Sequence, residues 1–273
     1  MARRLPLELE LYILELALPP VKSAPSREAL SDAHERVKMI RGKGWRVLAL
    51  EVVVPDAARM PTRELLQPLA ADMRELSIRW QEEDGFLLKD FPDLKRLSLL
   101  ASSGIGGAFS VFFIPSTLTY LHLRGVDYAD YDDPFPTLPH LEVLLLENLD
   151  LPGSDLTLDV LLSTPALRVF ACKNICFIGE ELSDVLSSAP STLQHVLLAI
   201  NAGDEPDDFL GAVDALPSAP KTLTAVVEED KIVDEDAREG LMEWCCTKEV
   251  KGRMIKVESV DDYDLAGWAA ELD

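Results

Sequence analysis

The chain has 273 residues, 46 of them leucine, and its 26 basic against 48 acidic side chains leave a formal charge of −22. That balance excludes a nucleic-acid ligand, because a phosphate backbone is bound mostly through Lys and Arg, while 48% hydrophobic and 27% charged residues describe a chain that buries a large core. Glu8, Glu10 and Glu15 break the apolar stretch near Met1, and no run reaches the ~18 apolar residues of a span, so neither a signal peptide nor a membrane partner is expected. Cys172, Cys176, Cys245 and Cys246 have neither a disulfide nor a zinc spacing. They read as reduced thiols in a cytoplasmic or nuclear protein.

The first predicted element is a helix opened by Leu5-Pro6, in which Leu9, Ile13, Leu14 and then Ala17 or Leu18 share one face. These residues, the exit Leu16-Ala17-Leu18-Pro19-Pro20, and Trp45 leading into Val52-Val53-Val54-Pro55 resemble the divergent F-boxes that precede irregular leucine-rich repeats in many fungal proteins. The resemblance implies that Leu5, Pro6, Leu9, Ile13 and Leu14 dock on the Skp adaptor of a cullin-based ubiquitin ligase while the domain behind them selects a substrate protein. Between Ala29 and Trp45 the family keeps a hydrophobic helix. Here Asp32, His34, Glu35 and Arg36 crowd that stretch, Gly42 and Gly44 interrupt it, and Leu30, Val37 and Ile40 remain. Residues 1–44 also read as an N-terminal cap that touches no adaptor.

A unit of the form apolar-x-x-apolar-x-apolar then recurs. Its copies start at Trp45, Met73, Leu94, Leu118, Leu141, Leu167, Leu193, Leu223 and Met254, spaced by 28, 21, 24, 23, 26, 26, 30 and 31 residues. Each predicts a short strand. The segments before the strands at Leu167, Leu193 and Leu223 open on Asp159, Glu181 and Asp207, are helix-compatible, and close on Pro. A doubly wound sheet would instead show longer Val/Ile runs and crossovers without a shared Pro-x-x-Leu exit. Over roughly residues 45–260 the chain resembles a leucine-rich-repeat protein, with the family's Asn after the third Leu position recognisable at Asn148 and Asn174. The expected fold is therefore α/β, an irregular leucine-rich-repeat solenoid, or horseshoe, with a parallel concave sheet and an N-terminal helical F-box-like segment. Residues 45–235 form the repeats and residues 236–273 a C-terminal cap. In that cap a helix at 236–247 carries Leu241, Trp244 and Cys245 on one side, a strand follows from Met254, and Leu265 and Trp268 lie in a last turn that closes the end of the solenoid.

No enzyme chemistry is expected. Gly104-x-Gly106 is followed by Phe109 where a dinucleotide loop needs its third small residue, so Ser102 to Ser110 reads as a loop. His34, His122, His140 and His195 are too scattered for a metal set, and the acidic runs 127–133, 204–208 and 228–236 lack a calcium loop's glycine and read as solvated loops. No catalytic residue, cofactor or metal is assigned.

Strand alternation gives the candidate partner site. Residues between the apolar positions face outward on the concave wall: Glu75, Ser77, Arg79; Arg96, Ser98, Leu100; Tyr120, His122, Arg124; Val143, Leu145, Glu147; Val169, Ala171, Lys173; His195, Leu197, Ala199; and Ala225, Val227. Arg79, Arg96 and Arg124 are expected to converge beside Tyr120 and His122, with Val143, Leu145 and Val169 as an apolar anchor for an unknown protein partner. Two answers to this charge stay open: Glu75 and Glu147 within the wall, or the carboxylates or phosphate of a partner segment. Loops or the C-terminal segment covering the aliphatics is the other outcome. The functional expectation is a substrate-binding subunit of a ubiquitin ligase; the alternative is a stand-alone scaffold or inhibitor of the same fold with no ubiquitin role.

Overall fold

The computed structural model describes residues 16–17, 49–53, 70–80, 91–101, 107–109, 114–128, 137–149, 164–174, 182–199, 211–228 and 235–272. Among these described residues ten strands form one parallel sheet in the order β1 (Leu16–Ala17), β2 (Ala49–Val53), β3 (Glu75–Trp80), β4 (Arg96–Ala101), β6 (Tyr120–Arg124), β8 (Val143–Glu147), β9 (Val169–Lys173), β10 (His195–Ala199), β11 (Thr222–Glu228) and β12 (Lys251–Val257). Each of these strands lies beside its predecessor in the sheet, so every connection carries the chain back to the same end before the next strand begins. β5 (Gly107–Phe109) and β7 (Val126–Tyr128) pair in parallel as a separate two-stranded sheet.

The apolar unit is the local cause of this succession. In six units the N–H of the first apolar residue closes a turn on the carbonyl three residues earlier, at 3.0–3.3 Å: Met73 on Ala70, Leu94 on Phe91, Leu118 on Pro115, Leu141 on Leu138, Leu167 on Thr164 and Leu193 on Pro190. Pro92, Pro139 and Pro165 occupy the second position of their turns, where the ring pre-sets φ. The prolines thus shape the entry to each strand. One carbonyl then takes two N–H groups from the next unit, as Lys95 O does from Thr119 (2.8 Å) and Tyr120 (3.1 Å), which carries the pairing out of the strand into the turn. Thr117 Oγ1 adds a bond to Leu94 O and Thr192 Oγ1 one to Leu167 O, both at 2.8 Å.

Behind the sheet the fourth and sixth positions of the units line up in two rungs. Leu76, Leu97, Leu121, Leu144, Phe170, Val196 and Leu223 are in register and each at most 1% exposed. Ile78, Leu99, Leu123, Leu146, Cys172, Leu198 and Ala225 form the second rung. Truncating one such leucine to Ala removes about 2–5 kcal/mol. Helix α1 (Leu182–Ser187) and helical residues 211–214 cover this core with Val185, Leu186, Ala212 and Val213, all fully buried.

Gly125, Asn148 and Asn174 follow β6, β8 and β9 directly with φ of 60°, 49° and 52°, the left-handed region that Gly and Asn enter most readily. Asn174 Nδ2 donates to Asn148 Oδ1 at 2.8 Å. The two asparagines of the repeat resemblance are therefore a linked pair of equivalent turn residues.

Several expectations are corrected. The Ser102–Ser110 stretch contains β5, and Asp127 at the start of an expected acidic loop lies in β7, because each supplies the other's strand partner. Leu16–Ala17 is a strand paired with Val52–Val53, so Ala17 does not sit on a helical face. At β11 the unit is displaced by three residues: Val196 pairs with Leu223, which makes Leu223 the fourth position and buried Pro220 the first. Ala225 consequently faces the core, and Thr224 and Val226 take the opposite face in place of Ala225 and Val227. Leu5, Pro6, Leu9, Ile13 and Leu14 lie outside the described residues.

Helix α2 (Glu235–Thr247) connects β11 to β12 and buries Leu241 and Cys245 against the core, with Trp244 half-buried. β12 extends the sheet by a further strand. Gly252 is required there: a Cβ on it would stand 2.5 Å from Cys245 Sγ. After β12 the chain does not close the end of the sheet. A 3-10 turn (Val260–Asp262) and helix α3 (Leu265–Ala270) return across its front face, the side opposite the main core.

Candidate recognition face

The front face begins with a polar half. Arg96 pairs in register with Tyr120, and its guanidinium carbon lies 4.0 Å from the Tyr120 ring centroid, a cation–π stack. Tyr120 is buried, and burial pushes its phenol up to about 12 against the pull of Arg96. Arg124 stands two rungs further along, level with Glu147. Four residues of strand span about 13 Å, so Arg96 and Arg124 do not meet in one patch. Arg79 is in register with Leu100 and shares the Arg124 rung. The expected convergence of the three arginines fails because Arg96 takes the first outward position of its strand while Arg79 and Arg124 take the third.

Glu147 answers the charge instead. It is 3% exposed; His122 Nε2–H donates to its Oε1 at 2.8 Å, Lys173 Nζ reaches Oε2 at 3.1 Å and Arg124 Nε lies 3.8 Å from Oε2. Burial alone would raise the Glu147 carboxyl. The His122 hydrogen bond and the Lys173 ammonium outweigh it and hold the carboxyl below its ordinary value. Of the two answers left open by sequence, the one within the wall is present, with Glu147 as the acid; Glu75, on β3 and level with Arg96, is exposed.

Val143, Leu145 and Val169 do form an apolar floor, joined by Ala171, Leu197 and Val226, but it is covered. Val260, Leu265 and Trp268 pack onto it, leaving Leu145 fully buried and Val169 8% exposed. Lys173 fixes the cover: its Nζ donates to the carbonyls of Asp261 (3.0 Å) and Tyr263 (2.8 Å), and the side chain is 1% exposed. Asn174 Nδ2 donates to Asp261 Oδ1, and the Val260 N–H donates to Glu228 Oε1 at 3.2 Å. Asp264 caps α3 through the Gly267 N–H. Leu265 and Trp268, expected to close the end of the last repeat, close the front face instead.

Lys173 is the residue whose part the sequence left unassigned. The available signal was composition: residues 258–273 hold six acids and no Lys or Arg, interleaved with Val260, Leu265 and Trp268. On the open half Arg96 is exposed and Ser98, Leu100 and Arg124 half-exposed. No helix among the described residues is long and apolar enough to cross a membrane, and no three of their His, Cys, Asp and Glu side chains gather so as to hold a metal ion. Neither a family model nor a curated protein nor a solved structure matches the chain.

Proposed function

We propose that this chain is a protein-recognition subunit, an irregular leucine-rich-repeat solenoid whose F-box-like N-terminus joins it to the Skp adaptor of a cullin-based ubiquitin ligase. What carries the reading is the coincidence of one unit with one strand: the repeats stack into a sheet, and such solenoids bind proteins through extended exposed faces. The Leu5-Pro6 motif ahead of the repeats supplies the adaptor half. A cytoplasmic or nuclear site of action accompanies it.

The front face supports the substrate half. Arg96 is exposed on the wall of a protein of charge −22, with Ser98 and Leu100 half-exposed beside it, and an exposed guanidinium of this kind suits a carboxylate of a partner. The tagged chain, purified from its own cells, should bring Skp and cullin with it, and Leu5→Ala with Pro6→Ala should remove both. Recovery of a partner without either would assign the chain to stand-alone scaffolds.

A further inference from the structure

The cover of the front face has the form of a ligand. Among the described residues the main core behind the sheet runs from Ala70 to Val250, with Met254 packed against it and none of residues 255–272 in it, whereas Val260, Leu265 and Trp268 belong to a second cluster in front of the sheet. Removing the cover therefore leaves the repeats' own core complete. Its helix has six residues, too few to be stable unless something holds it. The holding groups come from the wall: Lys173, Asn174 and Glu228. The segment itself carries five Asp and Glu and no Lys or Arg over residues 258–272, so a partner taking its place would be acidic as well.

We infer that the floor formed by Val143, Leu145, Val169, Ala171, Leu197 and Val226 is a binding site for an acidic partner segment with aliphatic and aromatic anchors spaced like Val260, Leu265 and Trp268, and that residues 258–272 occupy it in cis as that segment's stand-in. This rests on the reading of the front face as a recognition surface. Lys173 would offer the partner's backbone carbonyls the two hydrogen bonds it now gives to Asp261 and Tyr263. The floor would take its apolar side chains in the manner of a helix laid in a groove. A partner binds only to the fraction of molecules whose own segment has left, so its apparent affinity falls by that fraction.

The probe is a fluorescent peptide with the sequence of residues 258–272, titrated by anisotropy into three forms of the full chain. These are the wild type, Trp268→Asp, and a chain with a protease site inserted between Val257 and Glu258 and cut after folding. The two opened forms should bind the peptide at least ~10-fold more tightly than the wild type, and a peptide with Asp at the Leu265 and Trp268 positions should not bind. Equal binding by all three forms, no binding by either opened form, or loss of the sheet on cutting would each overturn the proposal, the last because the segment would then be part of the fold. Skp binding is read on the same samples. If Skp binds and the peptide does not, this inference alone falls; if the peptide binds and Skp does not, the ubiquitin reading falls and the site stands.

Discussion

Lys173 and Glu147, side by side on adjacent strands, are joined at 3.1 Å with side chains only 1% and 4% exposed. A buried ion pair is weak support for stability by itself, since desolvating both charges offsets most of their attraction. What gives this one consequence is its reach: the same ammonium binds two carbonyls of a segment 88 and 90 residues later in the chain.

Lys173→Met should therefore cost about 3–5 kcal/mol, because it takes the buried ammonium from Glu147, leaving it only His122 and Arg124, and orphans both carbonyls. Urea unfolding measures it. Adding Glu147→Gln should recover part of the loss, so the double mutant should be clearly less destabilised than the sum of the two singles. Strict additivity would mean that the pair is not coupled.

Stability should fall at both ends of the pH scale. Glu147 has a folded pKa below the ordinary 4.5, so its contribution is complete above that value and is lost as pH drops below it through the folded pKa. Tyr120 has a folded pKa of about 12 against 10.0, so the neutral phenol's contribution is complete below 10 and is lost as pH rises from there toward 12. Thermal midpoints across pH should lose part of the acid limb in Glu147→Gln and part of the alkaline limb in Tyr120→Phe.

Gly252→Ala should destabilise by about 1–3 kcal/mol, since the new methyl group meets Cys245 Sγ on a helix that cannot retreat without opening the core. Cys245→Ala makes room, so the double mutant should be more stable than Gly252→Ala alone. Guanidinium unfolding of the three variants decides it.

Glu249, just past α2, has φ of 57°, a conformation that costs a side chain and not a glycine. Glu249→Gly should raise stability by about 0.5–1 kcal/mol. A lower thermal midpoint would show that the Glu249 side chain contributes more than its strain.

The core rungs were legible because a leucine every two or three positions, repeated seven times, has one geometric solution: Leu121, Leu144 and Val196 fell where the unit puts them. The rung at β11 was not, because Pro220 fills the first apolar position and shifts the match onto Leu223. β5 and β7 are three-residue strands in glycine- and aspartate-rich stretches, where each exists only through the other. The outward list was right for most strands, but it did not track which rung each arginine occupies, and that separates Arg96 from Arg124. The cover was hidden for a different reason. Its acids resemble a solvated tail, and the lysine that fixes it is far away in sequence.

The most direct test of the recognition-subunit account is the affinity of the purified chain for purified Skp adaptor, measured by titration calorimetry beside the Leu5→Ala, Pro6→Ala variant. The account requires one-to-one binding at micromolar strength or tighter, on the order of −8 kcal/mol, abolished in the variant while its thermal midpoint stays nearly that of the wild type. Absence of binding by the wild type, or a variant that loses binding only because it unfolds, would contradict it and leave residues 1–44 as the cap of the repeats.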